Sequence, residues 1–149
     1  MRILIDTNIL IHAFNRSSPH REKASKILIK ALRGDIKAVI SPQVLYEFYS
    51  ILTNPRRVER PLSPEEAAAI CLDLWSTPNI EKIISTSTTL REVFKLAGEL
   101  GLRGGTIFDC LLAVTAKENG VKAIYTENER DFRRFTFLKV VNPLRGAEA

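Results

Sequence analysis

The sequence predicts an α/β protein: a three-layer α/β/α sandwich around a central, mostly parallel five-stranded sheet. Two observations carry that prediction. Short aliphatic runs of strand length alternate along the chain with longer segments of helical periodicity, and strands separated by helices pair in parallel through crossover connections. The aliphatic runs are largely apolar rather than alternating, the pattern of strands covered on both faces. A chain of 149 residues, 45% of them hydrophobic, suffices for one core. With no repeat, low-complexity stretch or linker, residues 1–149 read as a single domain.

The elements follow in order. RILI (2–5) is a short buried strand. Residues 19–33 place Ala24, Ile27, Leu28, Ala31 and Leu32 on one helical face, with Gly34 as the stop. KAVIS (37–41) is the second strand, and Pro42 opens a helix to Leu52 with the stripe Val44, Leu45, Phe48, Ile51 and Leu52. In SPEE (63–66), Ser63 caps, Pro64 suits the first helical position and Glu66 completes a capping box. The helix that follows carries Ala67, Ile70, Cys71, Leu74 and Trp75. A third strand falls at 80–84 and a helix at 89–100, through Val93, Phe94 and Ala97. Gly104-Gly105 breaks the chain before a mostly apolar helix, 106–118; AIYT (123–126) and LKVV (138–141) are the last strands.

No run approaches the ~20 apolar residues that a membrane-spanning helix needs. Asp6, Asn8 and His12 interrupt the N-terminal apolar stretch where a signal peptide would continue, so a cytoplasmic protein is expected. Cys71 and Cys110 fall in apolar helical patterns and read as buried free thiols. With only His12 and His20 as histidines, a Cys/His zinc site is excluded. The net charge of +5 suggests an anionic partner such as nucleic acid.

The run ILIDTNILI (3–11) sets Asp6, Thr7 and Asn8 between two aliphatic stretches. A buried carboxylate is costly without a charged or hydrogen-bonding partner, so Asp6 either caps the following helix or holds a cation. In open parallel sheets, sites gather at the carboxyl ends of the strands. Asp6 follows the first strand directly, Asp109 lies in the first turn of 106–118, and Asp131 follows the fourth strand by the loop TENERDF (126–132). Glu47 borders the apolar stripe of its helix and can reach toward the same edge. Asp109 projects away from Ile107, Phe108, Leu111 and Val114, on a side holding only Ala113 and Ala116. Taken singly, Glu47 also reads as a partly exposed helix residue, Asp109 as a helix N-terminal charge and Asp131 as a loop residue. Together the four acids converge on one edge. Ionised carboxylates in one pocket repel unless a cation neutralises them. Oxygen-only donors select hard ions, Mg²⁺ or Mn²⁺, which activate water and clamp the oxygens of a phosphoryl displacement.

LIDTNILI at the start, LYEFYSILTNPRRV (45–58), TIFDCLLAVTAKENGVKAIYTENERDF (106–132) and VVNP (140–143) resemble, in order and spacing, the PIN-domain nucleases, in particular the VapC toxins of type II toxin–antitoxin modules. The resemblance covers nearly the whole chain. It implies a Mg²⁺- or Mn²⁺-dependent endoribonuclease whose metal site is formed by Asp6, Glu47 and Asp109. Thr7 and Asn8 look like the family's polar pair after the first acid, and Thr126 like the hydroxyl residue ending the fourth strand. Many relatives carry an acid two places after that threonine, where this chain has Asn128. The fourth acidic role then falls to Asp131, with Glu127 or Asn128 as alternatives. The resemblance further implies a homodimer and a small cognate antitoxin laid into a groove. Tyr46 and Tyr49, off the core stripe, offer either such a contact surface or a half-buried helix face.

For RNA, Arg130, Arg133 and Arg134 adjoin Asp131 and are the expected phosphate contacts, whereas Arg56, Arg57 and Arg60 read as solvated loop residues. Other acid-first α/β families fit less well. A haloacid-dehalogenase-type phosphatase needs an aspartate where Asn8 stands, and a receiver domain needs one after the third strand, where ISTST (84–88) has none. No Gly-Lys-Ser/Thr follows Gly104-Gly105 as a phosphate-binding loop requires. A catalytically weak PIN domain that only binds RNA or protein stays open because of Asn128.

Overall fold

The computed structural model describes residues 1–146. Strand β1 (Arg2–Ile5) runs into helix α1 (Thr7–Phe14), which is followed by α2 (Arg21–Arg33), β2 (Lys37–Ile40), α3 (Pro42–Leu52) and α4 (Pro64–Ser76). Strand β3 (Glu81–Lys82) precedes α5 (Ser87–Leu100) and α6 (Thr106–Glu118), and β4 (Ala123–Tyr125), the short α7 (Glu129–Phe132) and β5 (Lys139–Val141) complete the order. The five strands form one sheet in the order β3-β2-β1-β4-β5, and every pair is parallel. The α/β expectation holds, with a sheet that is wholly parallel.

Strand β1 lies at the centre, with Ile3 opposite Ala38 of β2 and Ala123 of β4. The chain moves outward from β1 to β2 and β3, then crosses back to β4 and β5. Right-handed crossovers therefore put α1–α4 on one face and α5–α7 on the other, and the helix contacts segregate the same way. The reversal between β1 and β4 opens a crevice at their carboxyl ends, where ligands bind in such sheets. Leu4, Val39, Ile40 and Ile124 are fully buried between the layers with Phe48, Phe132 and Phe135; burial of each such side chain stabilises the fold by ~1.5–3 kcal/mol.

Local signals were realised where they depended on near neighbours. Ser63 Oγ accepts the Glu66 N–H at 3.1 Å while Glu66 Oε1 accepts the Ser63 N–H at 3.3 Å, the capping box expected from SPEE. Helix α5 starts earlier than expected because Thr86 takes the N-cap and donates its N–H to Thr89 Oγ1 at 2.9 Å. The third strand is shorter: after Ile83 donates its N–H to Ile40 O, the chain leaves the sheet and Ile84 is exposed.

Helix α6 is buried on more than one side: Ala113 and Ala116, beside Asp109, are fully buried, Leu112 and Val114 are buried as well, and Phe108 is 56% exposed. Helix α6 meets α5 through Cys110, whose Sγ reaches Val93 O at 3.7 Å. Two apolar side chains differ from the sequence reading: Phe94 of α5 is exposed while Val93 beside it is buried, and Leu32 of α2 faces solvent. Both cysteines are free, Cys110 buried and Cys71 only half-buried. Among the described residues no helix is long and apolar enough to cross a membrane.

Candidate active site

Ile5 ends β1, and the next residue, Asp6, is the N-cap of α1. The two roles open for Asp6 in the sequence are therefore compatible. Its Oδ1 accepts the Thr7 N–H at 2.8 Å. Its Oδ2 accepts the Thr126 hydroxyl at 2.7 Å and the Asn8 amide at 3.2 Å. Thr126, fully buried at the end of β4, thus ties the carboxyl ends of the two central strands together. The amide of Asn8 is oriented by its other end, since Asn8 Oδ1 accepts the Glu127 N–H at 3.0 Å and leaves the NH₂ for Asp6. Asn128 donates its N–H to Thr126 Oγ1 at 3.0 Å.

Glu47 enters from α3. Its Oε1 accepts the Thr7 hydroxyl at 2.7 Å, and Gln43, one turn earlier, donates to Glu47 Oε2 at 3.4 Å and to Phe108 O at 2.8 Å. Gln43 thereby straps α3 to the start of α6, where Asp109 sits. Asp6, Glu47 and Asp109 line one open pocket of about 880 Å³ together with Thr7, Asn8 and Asn128. Asp131, in α7, does not line that pocket, but its charge acts on Asp109.

The electrostatics follow from this crowding. Burial pushes the Asp6 carboxyl up to about 6, against the opposing hydrogen bonds from Thr126 and Thr7 and with a further push from Glu47. Asp109 is also pushed up to about 6, first by burial and then by the charges of Asp131, Asp6 and Glu47; Arg134 opposes the shift. Among the described residues, no three Asp, Glu, His or Cys side chains stand close enough to cage an ion by themselves. The acids are nonetheless oxygen donors that repel one another, the condition a cation relieves. That combination fits a hydrated hard ion, since Mg²⁺ keeps several waters and binds through one or two carboxylates.

Beside the acids lies a cluster that the sequence did not announce. His12 Nε2 meets Glu127 Oε1 at 3.0 Å, His20 Nε2 lies 3.7 Å from Glu127 Oε2, and His12 Nδ1 meets Ser18 Oγ at 2.6 Å. Both histidines of the chain converge on one glutamate, which occupies Glu127 with partners other than the acid site. Nothing in the local pattern signals this, because 115 residues separate His12 from Glu127.

The arginines divide unexpectedly. Arg134 is near enough to Asp109 to lower its pKa, and Arg130 is exposed. Arg133, however, pairs with Glu129 at 2.8 Å. Arg57 lines the acid pocket itself, contrary to its reading as a solvated loop residue. The turn that follows α3, with Arg57 N–H and Val58 N–H both donating to Asn54 O, carries it there.

Known proteins share this architecture. Residues 3–138 match the PIN domain family. The chain is 34% identical over 141 residues to Ribonuclease VapC24 of Mycobacterium tuberculosis, covering 94% of this chain and 95% of that protein. It is 25% identical to Ribonuclease VapC48 of the same organism, covering 95% and 97%. Among solved structures, M. tuberculosis VapC20, a sarcin-ricin loop cleaving toxin, superposes with a TM-score of 0.68 at 14% identity over 89% of this chain and 94% of that one. VapBC-1 from nontypeable Haemophilus influenzae superposes with a TM-score of 0.68 at 16% identity over 97% and 100%. The matched span runs through every strand but the last and takes in Asp6, Glu47, Asp109 and Asp131 together: the chain belongs to the PIN-domain family.

Proposed function

We propose that this chain is a divalent-metal-dependent endoribonuclease of the VapC kind, the toxin of a toxin–antitoxin pair, hydrolysing RNA phosphodiester bonds as a single domain. The observation that carries this reading is the crowding of Asp109, pushed up to about 6 by burial and by three other carboxylates at the crevice between β1 and β4. Such crowding has no use to an RNA-binding surface, which needs positive charge, and suits one that gathers a cation. The name of the relative at 34% identity, Ribonuclease VapC24, supports the same activity.

Asp6 and Asp109, with Glu47 and Asp131 beside them, would hold Mg²⁺ or Mn²⁺. When bound, that ion supplies Lewis acidity toward the phosphodiester and lowers the pKa of the attacking water. The chain's own residues prepare the place. Thr126 and Asn8 fix Asp6 Oδ2, Thr7 fixes Glu47 Oε1, and Asn128 holds Thr126 in position. Arg130 and Arg134 hold RNA phosphates on the α7 side; Arg133 contributes less because Glu129 already occupies it.

An antitoxin partner is supported by structural neighbours, among them a toxin–antitoxin complex from Klebsiella pneumoniae, with a TM-score of 0.62 at 22% identity. The exposed apolar side chains of Leu72, Leu90 and Phe94 are of the kind that protein partners cover, whether antitoxin or a second copy in a cytoplasmic homodimer. The test is cleavage of a structured RNA pool by antitoxin-free protein in Mg²⁺, Mn²⁺ or EDTA, beside Asp6→Asn. Metal-dependent cutting that the variant loses is the expected result. Binding of RNA without cutting under either metal would make the chain a binding module instead.

A further inference from the structure

A groove of about 650 Å³ adjoins the acid pocket and shares Tyr46, Glu47 and Phe108 with it. Its walls carry three large apolar side chains that the fold leaves in water: Tyr46 at 75%, Ile84 at 57% and Phe108 at 56% exposure. Two of the three are aromatic, and each is a sequence neighbour of a proposed metal-site acid, Tyr46 beside Glu47 and Phe108 beside Asp109. Gln43 ties the two walls together by its hydrogen bond to Phe108 O, so their spacing is set by the fold.

Ser41 forms part of the lining and is only 2% exposed. It occupies the N-cap of α3, yet its hydroxyl does not cap the helix. Among the described residues that hydroxyl has no hydrogen-bond partner. A buried polar group left unpaired costs free energy, and this hydroxyl lies beneath the groove's surface, where a ligand reaches it only if the surrounding wall shifts.

We propose that this groove is a nucleobase subsite: it takes one unstacked base of the RNA next to the scissile phosphate, held between Tyr46 and Phe108, with the Gln43 side-chain carbonyl, the end of that amide not bonded to Glu47 and Phe108, on the groove wall. This deepens the ribonuclease reading and rests on it. Sequence-selective RNA recognition works on splayed-out bases stacked on aromatic side chains. A base placed here brings its own phosphate to the carboxylates across Glu47, which the two cavities share. The subsite gives the enzyme a specificity determinant separate from its charge.

The test measures equilibrium binding, in EDTA, of short oligouridylate, oligoadenylate and an abasic ribose-phosphate oligomer of equal length. Wild-type protein should bind at least one base-bearing oligomer more tightly than the abasic one by about five- to a hundredfold. Tyr46→Ala and Phe108→Ala should each erase most of that preference while leaving affinity for the abasic oligomer unchanged. Tyr46→Phe should keep it, and so should Tyr49→Ala, which alters a neighbouring aromatic outside the groove. Equal binding of all oligomers by wild-type protein overturns the proposal, as does a Tyr46→Ala protein that retains the preference but changes oligomeric state, which would make the groove an interface between copies. Because nothing is cut in EDTA, these outcomes stand apart from the cleavage assay that tests the ribonuclease reading.

Discussion

Thr7 Oγ1 donates to Glu47 Oε1 at 2.7 Å across 40 residues of sequence, while the Thr7 N–H donates to Asp6 Oδ1 at 2.8 Å. One residue in the first turn of α1 therefore orients acids from two elements, one through its backbone and the other through its side chain.

The first prediction separates these functions. Thr7→Val keeps the N–H and the shape of the side chain but removes the hydroxyl, leaving Glu47 Oε1 without it. Groups that orient metal ligands typically contribute 10–100-fold to affinity or activity. Titration with Mn²⁺ and the RNA cleavage rate should both fall by about 10–100-fold, with the circular dichroism spectrum unchanged. A loss smaller than twofold would show that Glu47 is held by other contacts.

Asp109→Asn should abolish cleavage and, in EDTA at pH 7.5, raise the melting temperature. The carboxylate it removes is disfavoured by burial and by three like charges, so the neutral amide relieves a strain present only without a cation. Asp6→Asn should also abolish cleavage but bring no such gain. Both Asp6 oxygens accept hydrogen bonds, from Thr7 on one side and Thr126 and Asn8 on the other, so an NH₂ there would face a donor. Thermal melts of the two variants decide it: a lower melting temperature for Asp109→Asn would mean that its carboxylate is not under repulsion.

The same shifts fix a pH dependence and its sign. Asp6 and Asp109 rise from 3.8 to about 6 on folding. Between those values the folded chain binds more protons than the unfolded one, so stability falls as pH rises through the window and is level above it. The melting temperature of wild-type protein minus that of Asp109→Asn, measured in EDTA, should therefore decrease from pH 4 to pH 6. A difference that is flat across that range would remove the repulsion from the account. Added Mg²⁺ should reverse the effect by favouring the ionised form, so that its affinity increases as pH rises through about 6.

These expectations depend on features of unequal legibility in the sequence. Asp6, Thr7 and Asn8 were readable because they interrupt an aliphatic run directly after a strand, and the parallel topology fixes that end of the strand as the site edge. The Ser63–Glu66 capping box was readable because its partners lie one turn apart. Phe94 was misassigned because apolar volume was taken to mark the inward face, whereas its neighbour Val93 takes the buried position and Phe94 stands exposed. The convergence of His12 and His20 on Glu127 joins distant segments, so no local periodicity reports it. Arg57 was hidden for a related reason. A run of arginines after a helix carries the same composition whether it faces bulk water or turns back over a pocket, and only the fold distinguishes the two.

That difference can be measured. Arg57 lines the acid pocket and makes no ion pair among the described residues. Arg133 would have to give up Glu129, 2.8 Å away, to reach a phosphate. An arginine that contacts a phosphate of single-stranded RNA contributes about 0.7 to the slope of log affinity against log salt. Binding isotherms across a salt series should show Arg57→Ala lowering both RNA affinity and that slope by about one contact, with little dependence on sequence. Arg133→Ala should change the slope less, since the phosphate competes there with a carboxylate already in place. Should Arg133→Ala lose a full contact while Arg57→Ala loses none, Arg133 would leave Glu129 for the RNA and the guanidinium at the pocket rim would have no part in holding it.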